Sequence, residues 1–282
     1  MAKFRETAMR LVFALTACVS ILAVALICVY LLGNGIPTIF EIGAGNFFGE
    51  VWRPGQQQFG ILPFIIGSIY VTAGAMVVGV PIGVLCALYL ARFCPRRLYR
   101  VFSPVVRLMA GIPSIVYGFF GLMVLVPAVQ QATGTSGKGL LTASLLLGIM
   151  ILPTIIGTAE PALRAVPSSY YEGALALGAT HERSVFTAVL PAAKSGVLSS
   201  VILGVGRAIG ETMAVIMIAG NQIGMPGGLL DGLRTMTSNI VLEMGYATGL
   251  HRRALIATGV VLFVFILLIN LCFSLIKRKE NA

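Results

Sequence analysis

Long apolar runs separated by short polar segments dominate the chain. Six of these runs reach the roughly 20 residues that an α-helix needs to cross about 30 Å of hydrocarbon. They predict six transmembrane helices, at Leu11–Leu32, Ile61–Ala91, Val105–Val129, Leu140–Thr158, Gly196–Gly220 and Ala254–Ile276. The expected fold is an all-α polytopic membrane protein. In it, residues 1–60 hold the first helix and an external loop, and residues 61–282 hold a five-helix core.

Composition points to the same environment. Of the 282 residues, 57% are hydrophobic and 11% are charged. A soluble domain of this length could not cover so much apolar surface. The net charge of +10 does not indicate nucleic acid, because the basic residues cluster beside apolar runs instead of forming one polar face. Their excess on alternate connecting segments predicts that both termini are cytoplasmic.

The first apolar run also carries a processing signal. The tetrapeptide Leu15–Cys18 matches a lipoprotein cleavage box, and basic residues precede it. The run nevertheless continues to Leu32, whereas the apolar core of a signal peptide is shorter. We therefore expect the first helix to be retained as a membrane span.

Two external segments are expected between the predicted helices. Gly33–Gly60 is rich in Gly, Pro, Phe and Gln and is expected to lie along the membrane surface. Its interfacial anchors would be three aromatic residues, Phe47, Phe48 and Trp52. Asn221–Arg253 is expected to contain a short amphipathic helix at Met236–Tyr246.

Three sequence patterns resemble sites for nucleotides, metals or disulfides, but each lacks a feature that such a site requires. Ala132–Lys138 resembles a phosphate-binding loop, but a glycine follows it where Ser or Thr would hold magnesium. Gly204–Gly210 is glycine-rich within a predicted helix. Gly206 and Gly210 have the spacing for close helix contact, as do Gly79 and Gly83. The five cysteines show neither a CxxC nor a pairing pattern. We therefore expect no cofactor and no ATP on this chain.

The segment Pro161–Pro191 is too polar to span a membrane and too patterned to be disordered. Ser169 and Glu172 have the spacing of a capping box, which predicts a helix that starts one residue after Ser169 and ends at Gly178. Thr180 is expected to cap a second helix, which the last proline of the segment closes. Together the two helices predict a compact knob on the cytoplasmic face.

Arg207 and Glu211 are four residues apart in the fifth predicted helix and therefore on one face of it. An arginine at the bilayer centre costs at least about 2.5–3.5 kcal/mol, so the pair should face a polar cavity or a partner subunit. One interpretation is a structural salt bridge. The forked guanidinium fits tetrahedral oxyanions and favours anion passage instead. In that interpretation Glu211 fixes the position of Arg207 and lowers its affinity for the anion, so that the ion passes.

Glu172-Gly173-Ala174, Gly178 and Leu190-Pro191 resemble the EAA loop of permeases in binding-protein-dependent type I ABC importers. The usual pattern has a second alanine where Gly173 stands and an isoleucine where Ala188 stands. The resemblance implies a coupling helix that is seated in a groove of an ATPase subunit. It assigns this coupling to Tyr171, Glu172, Ala174, Leu175, Gly178, Ala179, Leu190 and Pro191.

The stretch around Arg207 carries a more specific resemblance. Leu203–Val215, followed by Ala219-Gly220-Asn221, is similar to the fifth helix of phosphate-importer permeases in this family. Further similar stretches are Trp52–Pro54, Phe59–Pro63, Ala110–Gly118, Leu177–Thr180 and the last helix around Leu262, Phe263 and Asn270. The resemblance implies a MetI-like permease that passes inorganic phosphate. Its expected pathway residues are Arg207, Glu211, Thr212, Ser114 and Asn221, with Gly111 and Pro113 giving the third helix flexibility.

The same resemblance implies a set of partners. The pore would be a heterodimer with a sister permease subunit, and an ATPase dimer that holds ATP and magnesium would lie beneath it. An external phosphate-binding protein would dock above. ATP would close the ATPase dimer, and the coupling loops would then swing the helices outward.

Alternatives remain open at the level of sequence. Sulfate or molybdate would suit the same arginine. A secondary transporter or channel would instead predict inverted repeats or several intramembrane titratable groups, and neither is evident. A membrane-embedded enzyme is not expected, because His181 and His251 lie in connecting segments and Asp231 is the only aspartate.

Overall fold

The computed structural model describes the backbone of residues 2–280. Within this range it describes all side chains except those of residues 2–5, 8, 273 and 276–280. Part of the predicted orientation rests on basic residues outside the described side chains, namely Lys3, Arg5, Lys277, Arg278 and Lys279. The described chain is mostly helical, as predicted. Its one sheet is a two-stranded antiparallel ribbon in which Trp52 pairs with Phe59.

The elements follow one another in a simple order. The α-helices are α1 (Ala2–Ile42), α2 (Ala44–Phe47), α3 (Leu62–Leu88), α4 (Arg96–Gly111), α5 (Ser114–Phe120), α6 (Val126–Thr133), α7 (Leu140–Arg164), α8 (Ser168–Ala176), α9 (His181–Ser184), α10 (Leu190–Ala192), α11 (Lys194–Gly210), α12 (Met213–Ile218), α13 (Met236–Met244) and α14 (Gly249–Glu280). The strands are β1 (Trp52–Arg53) and β2 (Gln58–Phe59), with a 3-10 turn at Pro54–Gln56 between them. Three π-helical turns occur at Tyr89–Phe93, Gly121–Leu125 and Val185–Val189.

Five helical stretches in the described chain are long and apolar enough to cross a membrane. They are Met9–Ile42, Leu62–Phe93, Ser114–Thr133, Leu140–Arg164 and Gly249–Cys272. A sixth crossing is obtained if His181–Ala192 and Lys194–Gly210, which meet at a bend of 72°, count as one span. The predicted fold class and the predicted number of spans agree with this architecture.

The predicted boundaries were wrong in the third span. It begins at Ser114 instead of Val105, because α4 is a separate helix that exposes Leu98, Val101 and Leu108 on its apolar side. Between α4 and α5 the backbone is extended at Ile112 and Pro113, with ψ of 126° and 141°. Gly111 and Pro113 therefore lie at the junction of two helices, not inside one.

Three further boundaries differ from the prediction. α1 continues through Gly33 to Ile42, so the external segment is shorter than expected. α7 runs to Arg164, so the first residues of the predicted loop 161–191 belong to this helix. α11 ends at Gly210, ten residues before the predicted end of the fifth span. The short helix predicted between the fifth and sixth spans is present, at Met236–Met244.

Helices α3 and α7 form the centre of the packing. Their approach is close because α3 presents glycines: a Cβ added at Gly79 would lie 2.7 Å from the carbonyl oxygen of Gly148, and one at Gly83 would lie 2.9 Å from the side chain of Ile155. The contact predicted from this glycine spacing is confirmed. At Gly206 and Gly210 the spacing produces no helix contact within the described chain, since nothing there lies within 4 Å of either missing Cβ.

The segment between α1 and α3 packs into the protein instead of lying on a membrane surface. Phe47 and Trp52 are 0% and 2% exposed and join Phe59 and Phe64 in a buried aromatic cluster. The prediction of interfacial anchors is wrong for Phe47 and Trp52. Of the three predicted anchors, Phe48 alone is exposed. Burial of the tryptophan is compensated because its indole N–H has a polar partner, described below.

Helix α1 contributes little to this core. It packs mainly on α14, where Gly35 lies against Ala257. Its most apolar 18-residue window has no buried residue, and Leu11, Phe13 and Ile21 are all more than half exposed. Such a surface is stable only against hydrocarbon or another apolar surface.

Candidate functional site

A two-residue break at Glu211 and Thr212 separates α11 from α12. α11 ends at Gly210, and the backbone of Glu211 is extended, with φ of −68° and ψ of 130°. The Glu211 side chain turns toward α12, where its Oε1 accepts hydrogen bonds of 3.1 Å from the backbone N–H groups of Thr212 and Ala214. A carboxylate at this position satisfies otherwise orphaned N–H groups and complements the helix dipole. Glu211 therefore caps α12.

Arg207 binds a different partner. Its Nη1 donates a hydrogen bond of 3.0 Å to Oγ1 of Thr154 on α7. No ion pair joins Arg207 to Glu211 within the described residues. The predicted pair on one helical face is wrong, because the helix ends between the two residues and the carboxylate is occupied by α12. The half-buried guanidinium keeps most of its N–H donors uncommitted to the described chain.

Helix α5 borders Arg207 from another side. Tyr117 is 6% exposed and lies close enough to Arg207 to interact electrostatically with it. The Tyr117 hydroxyl donates a hydrogen bond of 3.0 Å to the carbonyl oxygen of Met109, which fixes α5 to the end of α4. Gly118 lets α5 approach α12, since an added Cβ would lie 2.9 Å from Cα of Ala214. Helix α5 therefore packs on α12, while α7 supplies the hydroxyl that binds Arg207 on α11.

The other predicted pathway residues lie in three places. Ser114 begins α5 and is half-buried, and Thr212 lies in the break, where its Oγ1 donates to the carbonyl oxygen of Gly210 at 3.2 Å. Asn221 lies beyond the far end of α12, has φ of +53°, and donates from Nδ2 to the carbonyl oxygen of Ile216 at 2.7 Å. Arg207, Glu211 and Thr212 therefore lie at the junction of α11 and α12. Asn221 is separated from them by the length of α12.

A buried polar network was missed by the sequence prediction. Nη1 of Arg234 donates to Oε1 of Glu243 at 2.6 Å and to Oδ1 of Asn239 at 3.0 Å. Oε2 of Glu243 accepts from Nε1 of Trp52 at 3.0 Å and contacts Nε2 of His251 at 2.8 Å. Glu243 is 5% exposed, so its charge depends on these partners. The network ties the external ribbon, α13 and α14 into one unit.

The sequence carries little signal for this network, because its members are far apart in the chain. Trp52 and Glu243 are separated by 191 residues. The one local cue is that charged and polar residues gather in the segment 234–251 between two predicted spans. Beside the network, partial desolvation and the Glu243 carboxylate raise the pKa of Tyr246 above its ordinary value.

The coupling segment, residues 165–192, contains the two helices that were predicted, with altered caps. α8 begins at Ser168 after Pro167, so Ser169 is already helical and the predicted capping box does not form. Gly178 has φ of +86°, and the predicted left-handed end of the first helix is confirmed. Thr180 accepts a hydrogen bond from the backbone N–H of Arg183 at 3.4 Å, as predicted for a cap.

The second helix of the coupling segment ends at Ala192, one residue after the predicted end at Pro191. It passes through a π-helical turn and then bends by 72° into α11. Pro191 lies in the first turn of α10, a position where the missing N–H of proline is tolerated. The coupling segment is therefore joined directly to the helix that carries Arg207.

The coupling segment turns one predicted contact residue toward its own protein. The hydroxyl of Tyr171 lies 2.7 Å from Nδ1 of His181, whose ring packs edge-on against Phe93 at 4.7 Å. Exposed apolar side chains on α8 and the following turn are Tyr170, Leu175 and Leu177. Of the predicted coupling residues, Glu172, Leu175, Gly178 and Pro191 are exposed, whereas Tyr171, Ala174, Ala179 and Leu190 are half-buried.

Neither a metal site nor a disulfide marks the described part of the chain. No group of three or more His, Cys, Asp or Glu residues is placed there to hold a metal ion. The cysteines at positions 18, 28, 86, 94 and 272 are all free thiols.

Comparison with known proteins agrees with this architecture. The family model for the inner membrane component of binding-protein-dependent transport systems matches residues 79–279. The chain belongs to this family. A probable ABC transporter permease protein, YqgH of Bacillus subtilis, is 36% identical over 96% of this chain and 91% of the relative. The phosphate transport system permease protein PstC of Xylella fastidiosa is 34% identical over 95% of this chain and 90% of the relative.

Solved structures show the same fold. An inward-facing structure of the MetNI methionine ABC transporter aligns with a TM-score of 0.57 and 26% identity, over 78% of this chain and 94% of that chain. Members of this family are multi-pass inner membrane subunits of ABC importers, which work with an ATPase and a binding protein. They are transport subunits, and the binding-protein-dependent permease described here is one of them.

Proposed function

We propose that the chain is the channel-forming permease subunit of an ATP-driven phosphate importer. The observation that carries the proposal is Arg207, whose guanidinium is held by a single hydroxyl and offers its remaining donors beside a helix break. A planar guanidinium fork matches two oxygens of a tetrahedral oxyanion. The phosphate transport permeases among the relatives favour phosphate over the other oxyanions that the same fork would accept.

The helix break gives Glu211 a different role from the predicted one. It does not neutralise Arg207, and instead fixes the start of α12. Arg207 therefore keeps its full charge for a passing anion. Within the described chain the guanidinium binds one hydroxyl, that of Thr154, so most of its donors stay available to the anion.

The coupling segment supplies the link to ATP. Because α10 continues through one bend into α11, a displacement of the coupling segment would move the 17-residue helix that ends beside Arg207. A helix of this length spans about 25 Å and transmits motion as a rigid rod. The exposed Leu175 and the flanking residues of α8 are the surface that we assign to the ATPase.

The proposed assembly supplies the functions that this chain does not carry. A PstA-like permease subunit would complete the pore, a PstB-like ATPase dimer would hold ATP and magnesium, and a PstS-like protein would deliver phosphate from outside. This chain would hold no cofactor of its own. Both of its termini would face the cytoplasm, because the basic excess lies on the segments of that side.

The test is transport by the assembled complex in proteoliposomes. We expect ATP-dependent uptake of labelled phosphate that excess unlabelled phosphate abolishes and that equal sulfate or molybdate leaves nearly unchanged. Stronger competition by sulfate or molybdate would reassign the substrate. No ATP-dependent uptake of any of the three anions by a fully assembled complex would overturn the proposal.

A further inference from the structure

A second arginine lines a cavity near the coupling segment. The cavity lies between α4 and α7 and has a volume of about 660 Å³. α4 contributes Tyr99, Ser103 and Arg107, and α7 contributes Gly157, Glu160 and Arg164. The cavity is separate from the break at Arg207, and nothing in the family resemblance assigns it a role.

Most of the charge in this cavity is already committed. Glu160 is 9% exposed, and Nε of Arg164 binds its Oε1 at 2.8 Å. Nη2 of Arg164 also donates to the carbonyl oxygen of Leu90 at 2.7 Å, and its guanidinium lies 4.5 Å from the ring centroid of Tyr99. These contacts make Arg164 and Glu160 a structural pair with no net charge.

Arg107 is the cation of the cavity that keeps free donors. Its Nη2 donates to Oγ of Ser103 at 3.0 Å, and within the described chain it forms no ion pair. Arg107 is exposed, whereas Ser103 is 6% exposed and so fixes one end of the guanidinium. The arrangement repeats that of Arg207 on Thr154: one hydroxyl orients a guanidinium whose other N–H groups are available.

The two arginines border one continuous face of α7. Thr154, Gly157 and Pro161 are spaced by three and four residues and therefore lie on the same side of this helix. Gly157 and Pro161 are exposed, and the run from Thr154 to Pro161 covers about 10 Å along the axis. This face leads from the hydroxyl that holds Arg207 to the cavity that holds Arg107.

Helix α5 connects the same two places by a second route. The hydroxyl of Tyr117 donates a hydrogen bond to the carbonyl oxygen of Met109, which lies two residues after Arg107 on α4. Tyr117 also belongs to the same buried cluster as Ala208, the residue that follows Arg207 on α11. Tyr117 therefore links the end of α4 that follows Arg107 to the helix that carries Arg207.

We propose that Arg107 and Ser103 form a second oxyanion-binding station, which receives phosphate after it leaves Arg207. This proposal rests on the proposed function, since it takes phosphate as the transported ion. A net single positive charge in an open cavity holds an anion weakly enough for release. The headgroup of an anionic lipid carries the same phosphate oxyanion, so the experiment must separate the two sources.

The experiment measures how strongly phosphate in the proteoliposome lumen, the side to which the ion is released, inhibits uptake. Complexes with the ATPase inside proteoliposomes of neutral lipid are driven by enclosed ATP, and labelled phosphate uptake is followed while unlabelled phosphate in the lumen is varied. Arg107→Gln is expected to raise the half-inhibiting lumenal concentration about tenfold, the loss of roughly one charge-assisted hydrogen bond. Ser103→Ala should raise it less. Arg100→Gln, an equal charge change on the same helix outside the cavity lining, should leave it unchanged.

The outcomes are distinct. If Arg107→Gln and Arg100→Gln behave alike while the wild type takes up phosphate and Arg207→Ala does not, the second station is overturned and the proposed function stands. If the effect of Arg107→Gln appears only when anionic lipid is added, the site binds a lipid headgroup and is not a station for transported phosphate. If the Arg107→Gln complex fails to assemble, Arg107→Lys and Ser103→Ala provide the same test, with smaller shifts expected.

Discussion

Arg234 lies beside a glutamate in space, and Arg207 lies four residues before a glutamate in the sequence. The guanidinium groups of these two arginines are bound in different ways. Arg234 is 11% exposed in its side chain and binds Glu243, Asn239 and the carbonyl oxygen of Asn221. Arg207 binds one threonine hydroxyl, and the nearby Glu211 is committed to α12. The first arginine donates three hydrogen bonds to its own protein, one of them to a carboxylate, and the second donates one. We infer that the number of committed donors separates a structural arginine from one that can bind a transported ion.

The largest loss of stability is expected when the buried network around Glu243 is broken. Glu243→Ala leaves Arg234 buried without its carboxylate, so the free energy of unfolding in mixed micelles should fall by about 3–5 kcal/mol. The matched control is Glu41→Ala, which removes the exposed pair with Arg253, whose side chains are 46% and 47% exposed. That control should change the free energy by at most about 1 kcal/mol. Equal losses of stability in Glu243→Ala and Glu41→Ala would show that burial does not determine how much an ion pair of this chain contributes to stability.

A smaller effect is expected at the helix break. Glu211→Ala removes the cap from two backbone N–H groups of α12 and should lower the free energy of unfolding by about 1–2 kcal/mol. In a double-mutant cycle with Arg207→Ala, the coupling energy should stay below about 0.5 kcal/mol, because the two side chains do not bind each other. A coupling energy above about 1 kcal/mol would restore the ion pair predicted from the sequence.

The smallest effect tests a single member of the network. Trp52→Phe removes the indole N–H that binds Oε2 of Glu243 while keeping an aromatic ring in the buried cluster. The loss should be about 1–2 kcal/mol in the free energy of unfolding, and transport per assembled complex should not change. Phe48→Leu, at an exposed position beside the cluster, is the control. A transport defect in Trp52→Phe without loss of stability would contradict a purely structural role.

The helical architecture was predictable because its signal is local. A run of some 20 apolar residues identifies a span from composition alone. Gly178 and Thr180 were likewise predictable, since a left-handed glycine and a cap depend on the residue type at one position. Arg207 was singled out for a related reason, because a charged residue within an apolar run is costly wherever it lies.

The remaining features depend on choices that the sequence pattern does not reveal. The end of α11 at Gly210 reflects a local alternative, in which Glu211 accepts from the N–H groups of Thr212 and Ala214 instead of continuing the helix, and the i to i+4 spacing of Arg207 and Glu211 does not reveal it. Burial of Trp52 depends on Glu243, a residue at the other end of the chain. Interfacial tryptophans and buried tryptophans with a polar partner look alike in sequence.

We propose that Arg207 is available for transport because the fold does not need it for stability. The decisive variant is Arg207→Gln, with phosphate uptake and unfolding measured on the same preparation of the assembled complex. Uptake should fall about 100-fold, the loss of roughly two charge-assisted hydrogen bonds to the anion, while the free energy of unfolding changes by less than about 1 kcal/mol. Near-normal uptake, or a loss of stability as large as that of Glu243→Ala, would contradict this role of Arg207.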